Sequence, residues 1–298
     1  MITLTFITTK IIKGKEYKYL RYSYQENNKK TIVELALGPE PVDIESIKEK
    51  LMIKVVNKRW IPTVERIRQE YQQHMSKFNE DSIDAYLENF GMRFTYDTNK
   101  IEGSTLNYQA VKGILFHDFS PTTKPLSDVD ETRSHMAVFK SMLSSNDDLS
   151  LSLITKWHAE LFAVSKPRIA GFIHYDPVSI GGSDYKPPAT HAEVERGLKL
   201  LFIWYANNKG KMHPVLLSCI MSFRFVSIHP FGDGNGRVSR LIMNHVLYHA
   251  GYPMFNIEYI IRQGYYNALE AAQLKEDELH FVQWFFTRYI KASLKTSK

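Results

Sequence analysis

The stretch "HPFGDGNGRVSR", His229 to Arg240, sets three glycines, two arginines, an aspartate, an asparagine and a histidine between two apolar helical patterns. Upstream, "PVLLSCIMSFRFVSI" reads as a helix over 214–228. It ends at His229 because the residue before a proline is driven out of the helical region. Gly232, Gly234 and Gly236 admit positive φ and can turn several N–H groups the same way, and a new helix is expected from Gly236 or Arg237. Free N–H groups at a helix N-terminus make an anion-binding nest, and glycine leaves room for a phosphate to approach. Arg237 and Arg240, three apart, can both face that nest with charge-assisted hydrogen bonds. Asp233 repels a phosphate unless a divalent cation lies between them, so Mg²⁺ is implied as cofactor with Asp233 as its ligand. His229, neutral near pH 7 at the rim, is the candidate general base. The competing reading is a glycine-rich turn with a capping aspartate and solvated arginines. One segment combining base, metal ligand, anion hole and two cations favours nucleotidyl or phosphoryl chemistry, although no Walker A pattern occurs.

Composition sets outer limits. The chain has 298 residues, 44% of them hydrophobic, which suits one large domain or a domain with a small appendage. Lys+Arg total 38 against 32 for Asp+Glu, a spread-out +6 that fits a phosphate ligand as well as a polynucleotide. A single cysteine, Cys219, excludes an internal disulfide and a cysteine-based zinc site. "MITLTFITTK" lacks the basic start and long apolar run of a signal peptide, and the 214–228 run is too short to span a bilayer. A soluble, cytoplasmic protein without a membrane partner is the expectation.

The expected fold is mainly α with a small N-terminal β appendage. Thr31, Val33, Leu35 and Leu37 alternate with polar or small residues, "YKYLRYSY" is β-rich, and "QENNKK" can turn, so residues 1–41 read as a β-hairpin ending at "GPEP". Its tyrosines and lysines either cover the main domain or grip a partner. From Val42 the periods are helical. "PTVERIRQEYQQHMSKF" starts at Pro62, "DSIDAYLENFGMRF" offers Ser82 as N-cap, and further helices are expected near 107–116, 127–145, 152–164, 191–207, 214–228 and 237–250, with two more after "GYP". Residues 165–189 form a long loop in which "VSIGGSDY" can make a short flap hairpin.

"HPFGDGNGRVSR" matches the signature HPFxxGNGRxxR at every fixed position, and so resembles the Fic (Fido) family. "LITKWHAELF", "AGFIHYDPVSIGGSDYKPP" and "YYNALEAAQ" are similar to Fic segments in the expected order, so the resemblance covers roughly residues 90–290. It implies the helical Fic fold, with residues 104–298 as catalytic domain and 42–103 as a helical lead-in, and transfer of AMP from ATP to a Ser, Thr or Tyr hydroxyl of a target protein. By position, His229 would deprotonate that hydroxyl and Asp233 would hold Mg²⁺. Gly232, Gly234, Asn235, Gly236 and Arg237 would line the α- and β-phosphates, and Arg240 would hold the γ-phosphate. Ile180, Gly181, Gly182 and Ser183 correspond to the flap that aligns the target by strand addition. Tyr265, Tyr266 and Gln273 correspond to the adenine side, although the family often has asparagine at the position of Gln273 and arginine at that of His174.

"TNKIEG", 98–103, places Thr98 and Glu102 four apart on one helical face that Gly103 ends. Within the resemblance it matches the (S/T)xxxE(G/N) inhibitory motif, so Glu102 would pair with Arg240 and take the cation that the γ-phosphate needs. Other candidates carry less. His245 and His249 are i, i+4 but lack a third metal ligand, and His158 with Trp157 reads as a packing face. His213 reads as a helix-entry residue, and Glu131 and His135 as neighbours of the core. The leading reading is an adenylyltransferase restrained by Glu102. The same fold run as a de-AMPylase or with another transferred group stays open, as do self-association and a less favoured nucleic-acid-binding regulator.

Overall fold

The computed structural model describes residues 5–26, 28–38, 43–117, 119 and 121–296. It is mainly helical, with one three-stranded antiparallel sheet at the N-terminal end. The strands are β1 (Thr5–Ile12), β2 (Lys15–Glu26) and β3 (Lys29–Ala36), with β2 in the centre. The expected hairpin is thus β2–β3, and β1 adds a strand to it. "TFITTKII" reads less clearly than β2 because only part of it is covered by the body. Lys13 (φ 51°) and Gly14 (φ 76°) turn the chain between β1 and β2 as a two-residue hairpin requires. Pro39, Glu40 and Pro41, where the appendage was expected to end, lie outside the described residues, as do residues 1–4.

Alternation along β2 and β3 turns Leu20, Tyr22, Tyr24 and Val33 inward, where they join one core with Leu51, Met52, Val55 and Val56 of α1 (Ile44–Arg59). The Tyr22 hydroxyl donates to Gln283 Oε1 (3.2 Å) and accepts from Arg59 Nη1 (2.7 Å), so burial leaves no polar atom of that side chain unmet. On the other face, Lys10 and Arg21 both pair with Glu34.

α2 (Ile61–Met75) follows, with Pro at its start. α3 (Glu80–Ile101) is capped by Asn79, whose side chain accepts from Ser82 N (2.9 Å). Ser82 was expected to cap this helix, but it is the residue being capped: the helix starts three residues earlier. Gly103, at φ 98°, ends it. α4 (Tyr108–Phe116), α5 (Leu126–Ser144), α6 (Leu151–Phe162) and α7 (His191–Asn208) surround the central pair α8 (Pro214–Ile228) and α9 (Asn235–His249), with α10 (Arg262–Leu274) and α11 (Leu279–Thr296) closing the fold. α8 is buried on nearly every side, which is why its sequence shows no polar face. Its one charge, Arg224, is bidentate to Glu278 (2.6 and 3.0 Å) and stacks on Trp204. His213 accepts from Val215 N at the α8 start and meets Glu65 through its other nitrogen. His245 lies under Trp157, 4.4 Å from the ring of His249, whose Nε2 donates to Met142 O.

α3 crosses α5 where Gly91 meets the Phe139 ring; a Cβ there would sit 2.6 Å from Phe139 Cε1 and 3.0 Å from Met136 Sδ. Gly91→Val is expected to cost about 2 kcal/mol of stability, as overpacking does. Equilibrium denaturation would show it as a lower midpoint with an unchanged slope.

Candidate active site

The α8–α9 connection is the candidate site. His229 has left-handed backbone angles (φ 54°, ψ 54°), an uncommon state for a non-glycine residue that the loop contacts hold in place. His174 supports it: its Nε2–H donates to His229 O (3.1 Å), and its backbone N–H donates to Pro230 O. A carbonyl can only accept, so His229 Nδ1, 3.2 Å from Val226 O, carries a hydrogen in the neutral ring, and the Nε2 lone pair is left for an incoming proton. Burial lowers the His229 pKa, opposed by the Val226 carbonyl and the charge of Glu102, so the ring is neutral at pH 7.

Phe231 is fully buried and stacks on His158, with ring centroids 3.7 Å apart. His158 accepts from Gly171 N through Nδ1, so its Nε2–H donates to the Asp233 carbonyl (3.0 Å). A residue expected only to pack between helices therefore props the loop from below. Asn235 binds the Phe231 backbone twice, accepting from its N–H (2.9 Å) and donating to its carbonyl (2.6 Å). The Asn235 side chain is thereby committed to the loop, and its backbone N–H is what it can offer a phosphate.

Of the three glycines expected to reach positive φ, only Gly234 does so, at 79°. A Cβ at Gly234 would also overlap the ring of Phe162. Gly236 has a different reason: it lies inside the first turn of α9, where a Cβ would overlap Glu102 Oε1 and come within 3.0 Å of Arg240 Nη1. α9 begins at Asn235, a residue earlier than expected, and its first helical hydrogen bond is Val238 N to Gly234 O. The N–H groups of Asn235, Gly236 and Arg237 precede that bond, as a nest requires.

The two arginines diverge. Arg240, 1% exposed, turns to α3: Nη2 meets Glu102 Oε1 (2.6 Å), and Nε donates to Thr98 Oγ1 (2.6 Å). Its Nη1 is buried without a partner. Arg237 turns the other way, to Glu131 of α5 and to Asp233 Oδ1 (3.2 Å), lying over the Phe162 ring. Asp233 Oδ2 accepts from Lys166 (2.6 Å), and burial of that carboxylate is outweighed by Arg237 and Lys166, so its pKa is lowered. Neither Glu131 nor Lys166 was legible as a site residue: each lies far along the chain, on α5 or in the α6–α7 loop, without a local motif.

Ile180, Gly181, Gly182 and Ser183 form a turn (Ser183 N to Ile180 O, 3.2 Å) and not the expected flap hairpin. Two exposed glycines and the loop's prolines leave no run of residues able to pair with itself; the bridge present is Ile173 to Phe231. Glu270 of α10 holds the turn, accepting from Ser183 Oγ (2.7 Å) and Asp184 N (2.8 Å) through one oxygen. Of the residues expected on an adenine side, Tyr266 is half-exposed and donates to Ile101 O (3.0 Å), whereas Tyr265 is buried against Trp284. Gln273 donates to Ser227 Oγ, beside a cavity of about 570 Å³ that it lines with Glu49, Tyr185 and Arg224.

Residues 148–247 match the model of the Fic/DOC family. The chain is 27% identical over 182 residues to a protein adenylyltransferase Fic of Nematostella vectensis, covering 59% of this chain and 42% of that protein. It is 25% identical over 231 residues to the protein adenylyltransferase fic-1 of Caenorhabditis elegans, covering 75% of this chain and 44% of that protein. It therefore spans less than half the length of these curated relatives. A Fic domain containing signaling protein from Bacteroides thetaiotaomicron shares the fold at a TM-score of 0.71 and 24% identity, over 79% of this chain and 95% of that one. Fic-1 from C. elegans shares it at 0.69 and 22% identity, over 86% and 77%.

Three buried histidines give the fold a pH signature. Burial lowers His135 to about 3, and His158 and His245 to about 4, from the ordinary 6.5. The unfolded chain takes up protons that the fold refuses, so stability is full above pH 6.5 and is lost as pH falls from there toward 4. Each histidine contributes a slope of about 1.4 kcal/mol per pH unit across that window. Denaturant midpoints should be flat from pH 7 to 8 and drop below 6.5. The drop should be shallower in His158→Gln, compared at matched pH.

Proposed function

We propose that the chain transfers AMP from ATP to a Ser, Thr or Tyr hydroxyl of a target protein and that Glu102 restrains the transfer. The names of the curated relatives support the reaction class. The observation that carries the reading for this chain is Arg240: a buried guanidinium with an unmet donor, beside a helix N-terminus, whose anionic partner comes from α3. A buried cation needs an anion, and the γ-phosphate of ATP is the anion this nest would receive.

In this reading the triphosphate lies along the N–H groups of Asn235, Gly236 and Arg237. His229 Nε2 takes the proton of the target hydroxyl, whose oxygen attacks the α-phosphorus. The bond from that phosphorus to the β-phosphate bridging oxygen breaks, and pyrophosphate leaves. The flap turn offers backbone to a target segment, and Glu270 keeps it in place. The donor chemistry suits Mg²⁺: one ionised protein carboxylate beside substrate phosphates is the pattern that this ion prefers. Asp233 would hold it, and when bound it would neutralise phosphate charge. A cytoplasmic setting completes the reading, supported by the ATP requirement and the lone buried thiol of Cys219. Among the described residues no helix is long and apolar enough to cross a membrane.

Glu102 fits the role of brake because its carboxylate fills the space in front of Gly236, where a phosphate would come. The hydrolytic direction is a second reading, favoured because Glu102 is near enough for its charge to act on His229.

The experiment follows label from [α-³²P]ATP into protein. Glu102→Gly should raise incorporation roughly tenfold or more, the usual scale for restoring one charge-assisted contact at a phosphate. His229→Ala should abolish it. The Glu102→Gly rate should climb with pH through a midpoint below 6.5, following the lowered pKa of His229. Unchanged incorporation in Glu102→Gly would sink the brake. Label from the γ-position alone would mean phosphotransfer, and loss of AMP from a labelled target with wild-type but not Glu102→Gly protein would select hydrolysis.

A further inference from the structure

Glu131, Arg237, Asp233 and Lys166 close a ring of alternating charge. Arg237 joins Glu131 to Asp233 Oδ1 on one side, and Lys166 joins Asp233 Oδ2 (2.6 Å) to Glu131 Oε1 (3.0 Å) on the other. Both cations also lie against the ring of Phe162, Arg237 at 4.6 Å and Lys166 at 5.2 Å. Two carboxylates and two cations leave the ring neutral, and each Asp233 oxygen is already engaged. A divalent cation arriving there meets the repulsion of a protein cation at either oxygen, and that is relieved if one of them withdraws.

The two are not equally free to move. The Arg237 side chain is 3% exposed and that of Lys166 40%. The Arg237 fork is wedged between α5 and α9, whereas the Lys166 ammonium sits at the end of a flexible stem in the loop after α6. Lys166 also has somewhere to go: Glu131 offers it Oε1, while Oε2 serves Arg237. Leaving Asp233 therefore costs the ammonium one of two carboxylate contacts, and Oδ2 becomes available.

We propose that Lys166 and the divalent cation compete for Oδ2 of Asp233, with Glu131 as the anchor that keeps the displaced ammonium close. The proposal rests on the nucleotide-binding reading of the site. Lys166 is on this view a positioning residue with two consequences. It keeps Asp233 compensated when no metal is bound, and it sets a threshold of cation concentration for metal entry. The nearby charge of Arg237 stays in place throughout, so the exchange swaps a single positive charge for a double one as the triphosphate arrives.

Manganese binding tests this without reference to transfer. The full chain carrying Glu102→Gly is titrated with Mn²⁺ in the presence of a saturating non-hydrolysable ATP analogue, and free Mn²⁺ is read by electron paramagnetic resonance. Adding Lys166→Met should tighten Mn²⁺ binding roughly tenfold, the scale for removing one half-exposed unit charge a few ångströms away. Adding Lys166→Arg, which keeps the charge, should leave the affinity near that of the parent. Equal affinity in the parent and the Lys166→Met chain, with the analogue bound to both, overturns the competition while leaving the nucleotide site intact. Weaker binding in Lys166→Met overturns it too, because the lysine would then be supporting the cation. Failure of the analogue to bind either chain removes the nucleotide reading and this proposal together.

Discussion

Arg240 has to have an anion. Its guanidinium is enclosed by α3, α9 and α10, and a charge taken that far out of water is stable only when paired. Much of the surrounding architecture serves that requirement. α3 runs unbroken from Glu80 to Ile101 and ends where its last turn can present Thr98 and Glu102 to the guanidinium. Gly236 has no side chain because Glu102 occupies the space a Cβ would take. Tyr266 donates to the Ile101 carbonyl and so ties the end of α3 to α10. Packing between α3 and α9 and electrostatics at the nest are one constraint expressed in two ways.

A second set of contacts shapes the loop itself. Asn235 and His158 both act on backbone, one on Phe231 and the other on Asp233, and both are buried. Side chains that fix a main-chain path in this way let the N–H groups face outward without rearranging when a ligand arrives. Left-handed geometry at His229 belongs to the same arrangement, since the chain leaves α8 there while the Val226 carbonyl still fixes which ring nitrogen carries hydrogen.

Local chemistry made much of this readable in the chain. Helix limits came within a few residues because prolines, glycines and capping side chains mark them, and "HPFGDGNGRVSR" holds base, glycines and cations in one segment. The four-residue spacing of Thr98 and Glu102 also survives as one face of one helix. What escaped has a common cause. Lys166 and Glu131 come to Asp233 and Arg237 through tertiary packing between α5, α6 and α9, and no short-range pattern encodes that. Gly236 looked like another turn glycine because its true neighbour, Glu102, is remote in sequence. β1 and the flap failed for the opposite reason: "TFITTKII" has strand composition but no clean apolar alternation, the flap has only weak hairpin chemistry, and the body of the protein decides. Arg237 and Arg240 were expected to share a direction, but each turns toward the carboxylates nearest to it.

Because Glu102 and Arg240 belong to the same chain, their meeting is intramolecular. Its strength is set by the rigidity of α3 and its anchoring to α10, and dilution of the protein leaves it untouched. On the proposed function, an anion arriving from solution would compete with a carboxylate held at a high effective concentration, without the entropy of a second molecule being lost. The affinity of such a nest for a free anion would then be written partly into how firmly the last turn of one helix is seated, some distance from any atom the anion would touch.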